Sequence, residues 1–387
     1  MSLPQASARA TREIDWSPRN SELVLLVFLP LYLGLIWNTH LPLSIPLLKA
    51  FAFKGAQLVG GVYLLAVPLV ISKALWWRFS RTGVTRLDRE VWRAAANPFC
   101  STSFLFLSMK RAVVVLGSIY LFLHLKHLIL WFHTANYDQF FWDLDRWLHF
   151  GVQPNIALLE FLSGYPAAQV MLDWLYMKYF DFMLLVAVLF MLEPRSRKLS
   201  DAFFTAYSLF WLVGGLSYFA YPADGPCYAM LAQYSVGMDT AERAHLFRFP
   251  LQTDLPEKYL TAYQEAKIPT AKYFQQRLWK DRQVFLAGKG YPGAFYGVAA
   301  MPSLHVAAVT MMSVFLFAVS GLLGLLGTAF LVVTLVGSVV LQWHYAIDGY
   351  AGVIFGLATA FLALRTPRLL GRCGDDDLSQ FRTPIRD

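Results

Sequence analysis

The chain has 387 residues, 57% of them hydrophobic and only 15% charged, with a mean hydropathy of +0.46. A water-soluble domain carries about a quarter charged residues, so this composition excludes an ordinary soluble protein and indicates a membrane protein. The net charge of +8 does not point to nucleic acid, because the basic residues fall in short blocks beside apolar runs, where orientation signals sit.

The first apolar run starts near Glu22 with no small-residue cleavage pattern after it, and reads as a retained helix instead of a signal peptide. Spanning about 30 Å of hydrocarbon takes roughly 20 residues. That length selects eight runs, near 22–38, 53–73, 111–133, 174–192, 202–221, 301–319, 323–342 and 345–364. Lipid-exposed backbone must be paired internally, so the fold class expected is an all-α polytopic bundle of about eight transmembrane helices. Two segments, Trp76 to Phe99 on one side and Phe140 to Leu162 on the other, have the pattern of interfacial helices, with ordinary amphipathic connectors the favoured reading of both.

Orientation follows from the connections. Arg9, Arg12 and Arg19, then Lys73 to Arg111, then Arg195, Arg197 and Lys198, then Arg365, Arg368 and Arg372 all fall on one side of an eight-span bundle. The connection holding Asp138, Asp143, Asp145, Glu160 and Asp173 falls on the other. Both termini are therefore expected in the cytoplasm. The loop of 222–300 and the turn at Trp343-His344 are expected outside, in the periplasm if the membrane is a bacterial inner membrane, or else in a lumen or the extracellular space. Three units are expected: 1–110, a two-span extension; 111–372, a six-helix core with the outer loop; and 373–387, a tail. Gly288 to Gly293 formally matches GxGxxG, but no strand precedes it, which excludes a dinucleotide fold. Cys100, Cys227 and Cys373 lack paired spacing and indicate neither disulfides nor zinc.

Two motifs carry chemistry. Pro302-Ser303-Leu304-His305 stands where the outer loop enters the sixth run, with Pro302 suited to a first helical turn, and a helix N-terminus attracts phosphate. His344-Tyr345-Ala346-Ile347-Asp348 opens the eighth run on the same side. On a helix, His344 and Asp348 share a face, so the carboxylate can fix one imidazole tautomer and free the other nitrogen to attack. An aspartate in the first turns of a membrane helix is a functional candidate by default.

These residues resemble the second and third motifs of the type 2 phosphatidic acid phosphatase superfamily, specifically its inositolphosphotransferase-like branch, which includes the inositol phosphorylceramide synthases. Asp224-Gly225-Pro226-Cys227-Tyr228 loosely echoes that branch's Pro-Pro-Trp-Tyr element. The resemblance covers the C-terminal two thirds, from the third span onward, and implies a six-helix core. The Lys-x6-Arg-Pro element of the superfamily's monoester phosphatases is absent, and Gly337-Ser338 stand where those enzymes have Ser-Arg. A diester carries one negative charge and a monoester up to two, so fewer fixed cations favour transfer of a phospho-headgroup.

The expected mechanism has His344 attack phosphorus, Asp348 stabilise the imidazolium, and His305 protonate the leaving oxygen and then deprotonate the acceptor. Ser303, Tyr345, Asp224, Tyr228, Lys280, Arg282 and Lys289 are the expected substrate-binding residues. The donor is a membrane phospholipid or polyprenyl phosphate. The acceptor is a lipid or sugar hydroxyl, or water, which would make the same site a phosphatase. No cofactor, metal or nucleic acid is required. A lipid transporter is the rival from another class, but neither internal repeats nor paired broken helices are seen. Residues 253–293 mix cations with aromatics and read equally as a lid over the site or as a solvated loop lying aside.

His124, His127 and His133 do not share one face of the third span, and polar helix packing is favoured over a metal site. Lys126 and Asp181 each lie about seven residues inside the outer end of their spans, roughly 10 Å deep, and are expected to face the interior and bond to each other or through one shared polar group such as His127. The other arrangement has Lys126 snorkel and Asp181 pair with Lys178.

Overall fold

The computed structural model describes residues 17–39, 45–79, 86–132, 137–193, 196–228, 256–286 and 299–366. All eight apolar runs are helical: α1 (Asn20–Thr39), α2 (Ile45–Phe79), α4 (Thr102–Phe132), the pair α7 (Pro166–Met177) and α8 (Tyr179–Met191), α9 (Arg197–Ser217), α12 (Leu304–Val319), α13 (Gly321–Val340) and α14 (Ala346–Arg365). Among the described residues five helices are long and apolar enough to cross a membrane, six with the bent α7–α8 pair, and α1 and α12 contribute shorter apolar stretches. The protein is an integral membrane helical bundle.

Local chemistry sets the boundaries. Ser196 caps α9 by accepting from Leu199 N, and Ser320 caps α13 by accepting from Leu323 N, so one serine both ends α12 and starts α13. Pro154 and Pro166 occupy first positions, opening α6 (Pro154–Ser163) and α7.

Several expectations change. The fourth run is not one straight span, because it bends by 42° at Lys178. Phe140 to Leu162 is two helices, α5 (Asp138–Leu148) and α6, since Phe150 (φ 58°) and Gly151 (φ 91°) are left-handed and cannot continue a helix. In the Trp76–Phe99 connector α2 runs on to Phe79, and among the described residues α3 (Arg89–Ala96), with Asp88 as its cap, is the one separate helix. Asp181 does not meet Lys126: its carboxylate is exposed and pairs with Lys178 at 3.0 Å, on the face turned away from the core. The Gly288–Gly293 motif lies outside the described residues.

The core lies where α4, α8, α9 and α12 meet, with Phe190 stacked on Phe203 at 4.3 Å and both against Phe315. At one end of the bundle Arg19 and Arg111 share the Asp201 carboxylate, Arg111 also reaches Glu193, and Lys110 reaches Glu22. At the other end, α5, α6 and two helices of the long connection, α10 (Glu257–Glu265) and α11 (Pro269–Leu286), pack over the ends of the membrane helices. A two-residue ladder, β1 (Pro222–Ala223) against β2 (Ala299–Ala300), joins the two ends of that connection.

Candidate active site

Residues 341–345, between α13 and α14, carry His344, and polar side chains and backbone from neighbouring elements hold them in place. Asn155 of α6 donates to the carbonyls of Val339 and His344, both at 3.1 Å. Gln342, buried and left-handed at φ 62°, accepts from the Tyr259 hydroxyl of α10 at 2.6 Å and donates to Asn155 O and Val340 O. From α11, Gln275 donates to Leu341 O at 2.7 Å. The Cys227 N–H donates to Gln342 O at 2.8 Å. A buried loop must satisfy its backbone, and here α6, α11 and the Cys227 segment do so, while Tyr259 of α10 holds the Gln342 side chain.

The first turn of α14 is fixed by α5. Asp145 accepts from Ala346 N and Ile347 N at 2.7 and 2.8 Å, capping two otherwise unpaired donors. Asp138 accepts from the Tyr345 hydroxyl at 2.8 Å and from Asp224 N and Gly225 N at 2.7 and 2.8 Å. Burial pushes both carboxyls up to about 6, against the lowering effect of those bonds.

His344 precedes the helix and does not share its face with Asp348, as the spacing alone suggested; the two meet because Asp348 turns back. Its Oδ2 lies 3.2 Å from His344 Nδ1 and accepts from Tyr345 N at 3.1 Å, and Nε2 has no partner among the described residues. His305, second residue of α12, brings its ring centroid to 5.9 Å from that of His344. Pro302 stands before Ser303, the N-cap, and so lies outside the first turn. The bend at Lys178 sets Tyr176 and Tyr179, one on each side of it, with ring centroids 5.7 and 4.5 Å from His305. Helix α12 comes this close to α14 because Gly352 and Gly356 lack side chains: a Cβ on Gly356 would lie 2.4 Å from Ala307 O, and one on Gly352 2.6 Å from Ser303 O.

Burial first, and then the charge of Lys126, push His344 well below the ordinary imidazole range, to about 3. The ring is therefore neutral near pH 7, with Nδ1 donating to Asp348 and a lone pair on Nε2. Lys126, on α4, acts electrostatically on both His305 and His344.

Among the other expected residues, the Tyr345 hydroxyl is occupied by Asp138 and the Asp224 backbone is bound to the same carboxylate. The Tyr228 ring packs on Trp279 at 5.4 Å. Ser303 is fully buried, its N–H donating to Asp348 O and its Oγ without a partner among the described residues. Lys280 is exposed on α11, whereas the Arg282 side chain and Lys289 lie outside the described residues. The described part of the long connection is packed down, not lying aside. Beyond the bonds to residues 341–342, Asp173 caps α11 through Thr270 N and Ala271 N. Sequence reasoning missed Asn155, Gln342, Tyr176 and Tyr179, and took Asp138 and Asp145 for topology markers.

An all-helical membrane bundle with two histidines and an aspartate gathered at one end of its helices is the frame of a lipid phosphatase or phosphotransferase. Residues 139–362, more than half of the chain, match the family described as the PAP2 superfamily, and the chain belongs to it. The match begins in α5, so α4 lies outside it, although the sequence resemblance was expected from the third span onward. No curated protein and no solved structure matches. Membership makes the chain a lipid phosphatase or phosphotransferase acting on lipid phosphates, with water or a hydroxyl as acceptor.

Proposed function

We propose that the protein transfers a phospho-headgroup from a lipid phosphodiester to a hydroxyl acceptor through a phosphohistidine on His344, as in the inositolphosphotransferase-like branch. The observation that carries this reading is the His344 pair of contacts: Nδ1 against Asp348 at 3.2 Å and the ring 5.9 Å from His305. In the first step His344 Nε2 bonds to phosphorus, the P–O bond to the donor lipid breaks, and His305 gives its proton to that oxygen. In the second, the acceptor hydroxyl loses its proton to His305, its oxygen bonds to phosphorus, and the P–N bond breaks, restoring the neutral His344 imidazole and the protonated His305 that began the cycle. Asp348 balances the positive ring formed between the steps. The absence of the Lys-x6-Arg-Pro element supports a donor with a single negative charge.

The same two steps with water as acceptor make a phosphatase, so the product decides between them. The basic connections lie at the end opposite the histidines, which supports cytoplasmic termini and a site facing the periplasm, a lumen or the exterior. The test is incubation with labelled phospholipids and polyprenyl phosphates, followed by alkaline quench and mass spectrometry. The expected result is a phosphorylated His344 peptide and a headgroup-exchanged lipid. Inorganic phosphate as the sole product would support the phosphatase, and turnover with no phosphohistidine in any quench would overturn the mechanism.

A further inference from the structure

Lys126 sits near the site end of α4, on the helix face that turns inward. Phe122, Leu125 and Ile129 around it are all buried. Phe122 packs against Trp211 at 4.7 Å and Tyr218 at 5.9 Å, and Leu125 lies over Gly215, so this face is held against the end of α9. Leu304, next to His305, packs over Gly214 of α9. Lys126 is four residues beyond Phe122, about 6 Å further toward the site. Lys126 is half-buried on this face, and its charge acts on both His305 and His344.

Among the described residues no carboxylate lies within salt-bridge distance of the Lys126 ammonium. Asp181 pairs with Lys178 on the outer surface, and the Asp348 Oδ2 that faces His344 is taken by the imidazole and the Tyr345 N–H. A cation at this depth beside two imidazoles is costly alone, and an anion between the three groups removes the cost. The tyrosine hydroxyl of Tyr176 and Oγ of Ser303, both buried, also have no hydrogen-bond partner among the described residues.

We infer that Lys126 binds the substrate's phosphate, its ammonium holding a non-bridging oxygen while that phosphorus lies between His305 and His344. This rests on the phosphotransfer reading above. The lysine supplies from α4, outside residues 139–362, the fixed charge that the missing Lys-x6-Arg-Pro element would otherwise bring. A charge-assisted bond that strengthens as negative charge builds at phosphorus aids the transition state more than the ground state.

The test uses Lys126→Met, Lys126→Arg and His344→Ala in the full-length protein in detergent, with orthovanadate as the phosphate probe. Lys126→Met is expected to weaken vanadate inhibition at least tenfold and to lower kcat more than it raises KM. It should also move the acid limb of the kcat/KM profile upward, because His344 loses a neighbouring cation. Lys126→Arg should recover part of each effect. Wild-type vanadate inhibition and an unmoved acid limb in Lys126→Met overturn the inference. If that variant does not fold, reductive methylation of Lys126 in the wild type is read by mass spectrometry: saturating vanadate should block it, and equal labelling with and without vanadate overturns the inference. Loss of turnover in His344→Ala beside an unaffected Lys126→Met rejects only the lysine, whereas full turnover in His344→Ala rejects the phosphohistidine reading itself.

Discussion

Asp145 accepts hydrogen bonds from the backbone of Ala346 and Ile347, so a carboxylate 201 residues earlier in the chain caps the helix that carries Asp348. The connection between the third and fourth runs thereby becomes part of the frame that aims His344.

The cap has a pH signature. The Asp145 carboxyl is pushed up to about 6 by burial, above its ordinary 3.8, so between those values the folded state holds the proton that the unfolded state has lost. The contribution to stability is thus present below about 3.8 and is lost as pH rises through 6; Asp138, also raised to about 6, acts with the same sign. Lowering the pH of the purified protein from 7 to 5 is expected to raise Tm, and Asp145→Asn should flatten part of that rise. An identical pH dependence in the two proteins would mean that Asp145 does not titrate in the folded state.

The two histidines should fail differently. His344→Ala is expected to abolish phosphoenzyme and turnover together, whereas His305→Ala should still form phosphoenzyme from a donor with an activated leaving group, which needs no acid. Asp348→Asn should lower kcat by about 10²–10⁴-fold with little change in KM, because it removes the charge that balances the imidazolium. Rapid-quench measurement of the phosphorylated intermediate separates the three, and full phosphoenzyme formation by His344→Ala would move the nucleophile elsewhere.

The sequence made the spans and the two histidine motifs legible, because hydropathy reports apolar length and motif spacing reports local chemistry. It did not reveal the rotation of each helix about its axis. Lys126 and Asp181 were placed at similar depths, yet α4 turns Lys126 inward while α8 turns Asp181 out toward Lys178. Nor did it reveal partners far apart in the chain, such as Asn155 with His344 or Asp138 with Tyr345, since no local pattern encodes contacts of this separation. Asp138 and Asp145 could be read as charges on one side of a membrane, but not as caps, until α5 was seen to lie across the start of α14.

The approach of α12 to α14 is itself testable. Gly356→Ala would place a Cβ 2.4 Å from Ala307 O, a backbone atom that cannot swing aside, so the helices must separate. The expected cost is about 1–3 kcal/mol of stability, as for overpacking elsewhere, with a loss of turnover as His305 withdraws from His344. Gly60→Ala, inside α2 where a Cβ meets nothing within 4 Å, is the matched control and should leave turnover unchanged while adding about 0.5–1 kcal/mol of stability through helix propensity. Thermal unfolding and initial rates on the two variants check this; equal behaviour would mean that the bundle tolerates the wider spacing.

The last prediction concerns Gln342, whose φ of 62° lies in the left-handed region that favours glycine. If backbone conformation alone decided the residue, Gln342→Gly would stabilise the protein by relieving about 1 kcal/mol or more of local strain. Against this stand the bonds of its side chain: Oε1 accepts from Tyr259, and Nε2 donates to Asn155 O and Val340 O, all buried. Removing them leaves the Tyr259 hydroxyl and the Asn155 carbonyl without this partner, at about 1–3 kcal/mol for each group left unsatisfied. The side chain should therefore win, with Gln342→Gly lowering Tm and turnover together. Tyr259→Phe should produce a smaller loss, because it breaks only the bond from α10 and leaves Gln342 joined to α6. A glycine variant with higher Tm and undiminished rate would show that α10 and α6 do not hold the His344 loop, and that its position is set by the Asp145 and Asp138 bonds to the start of α14.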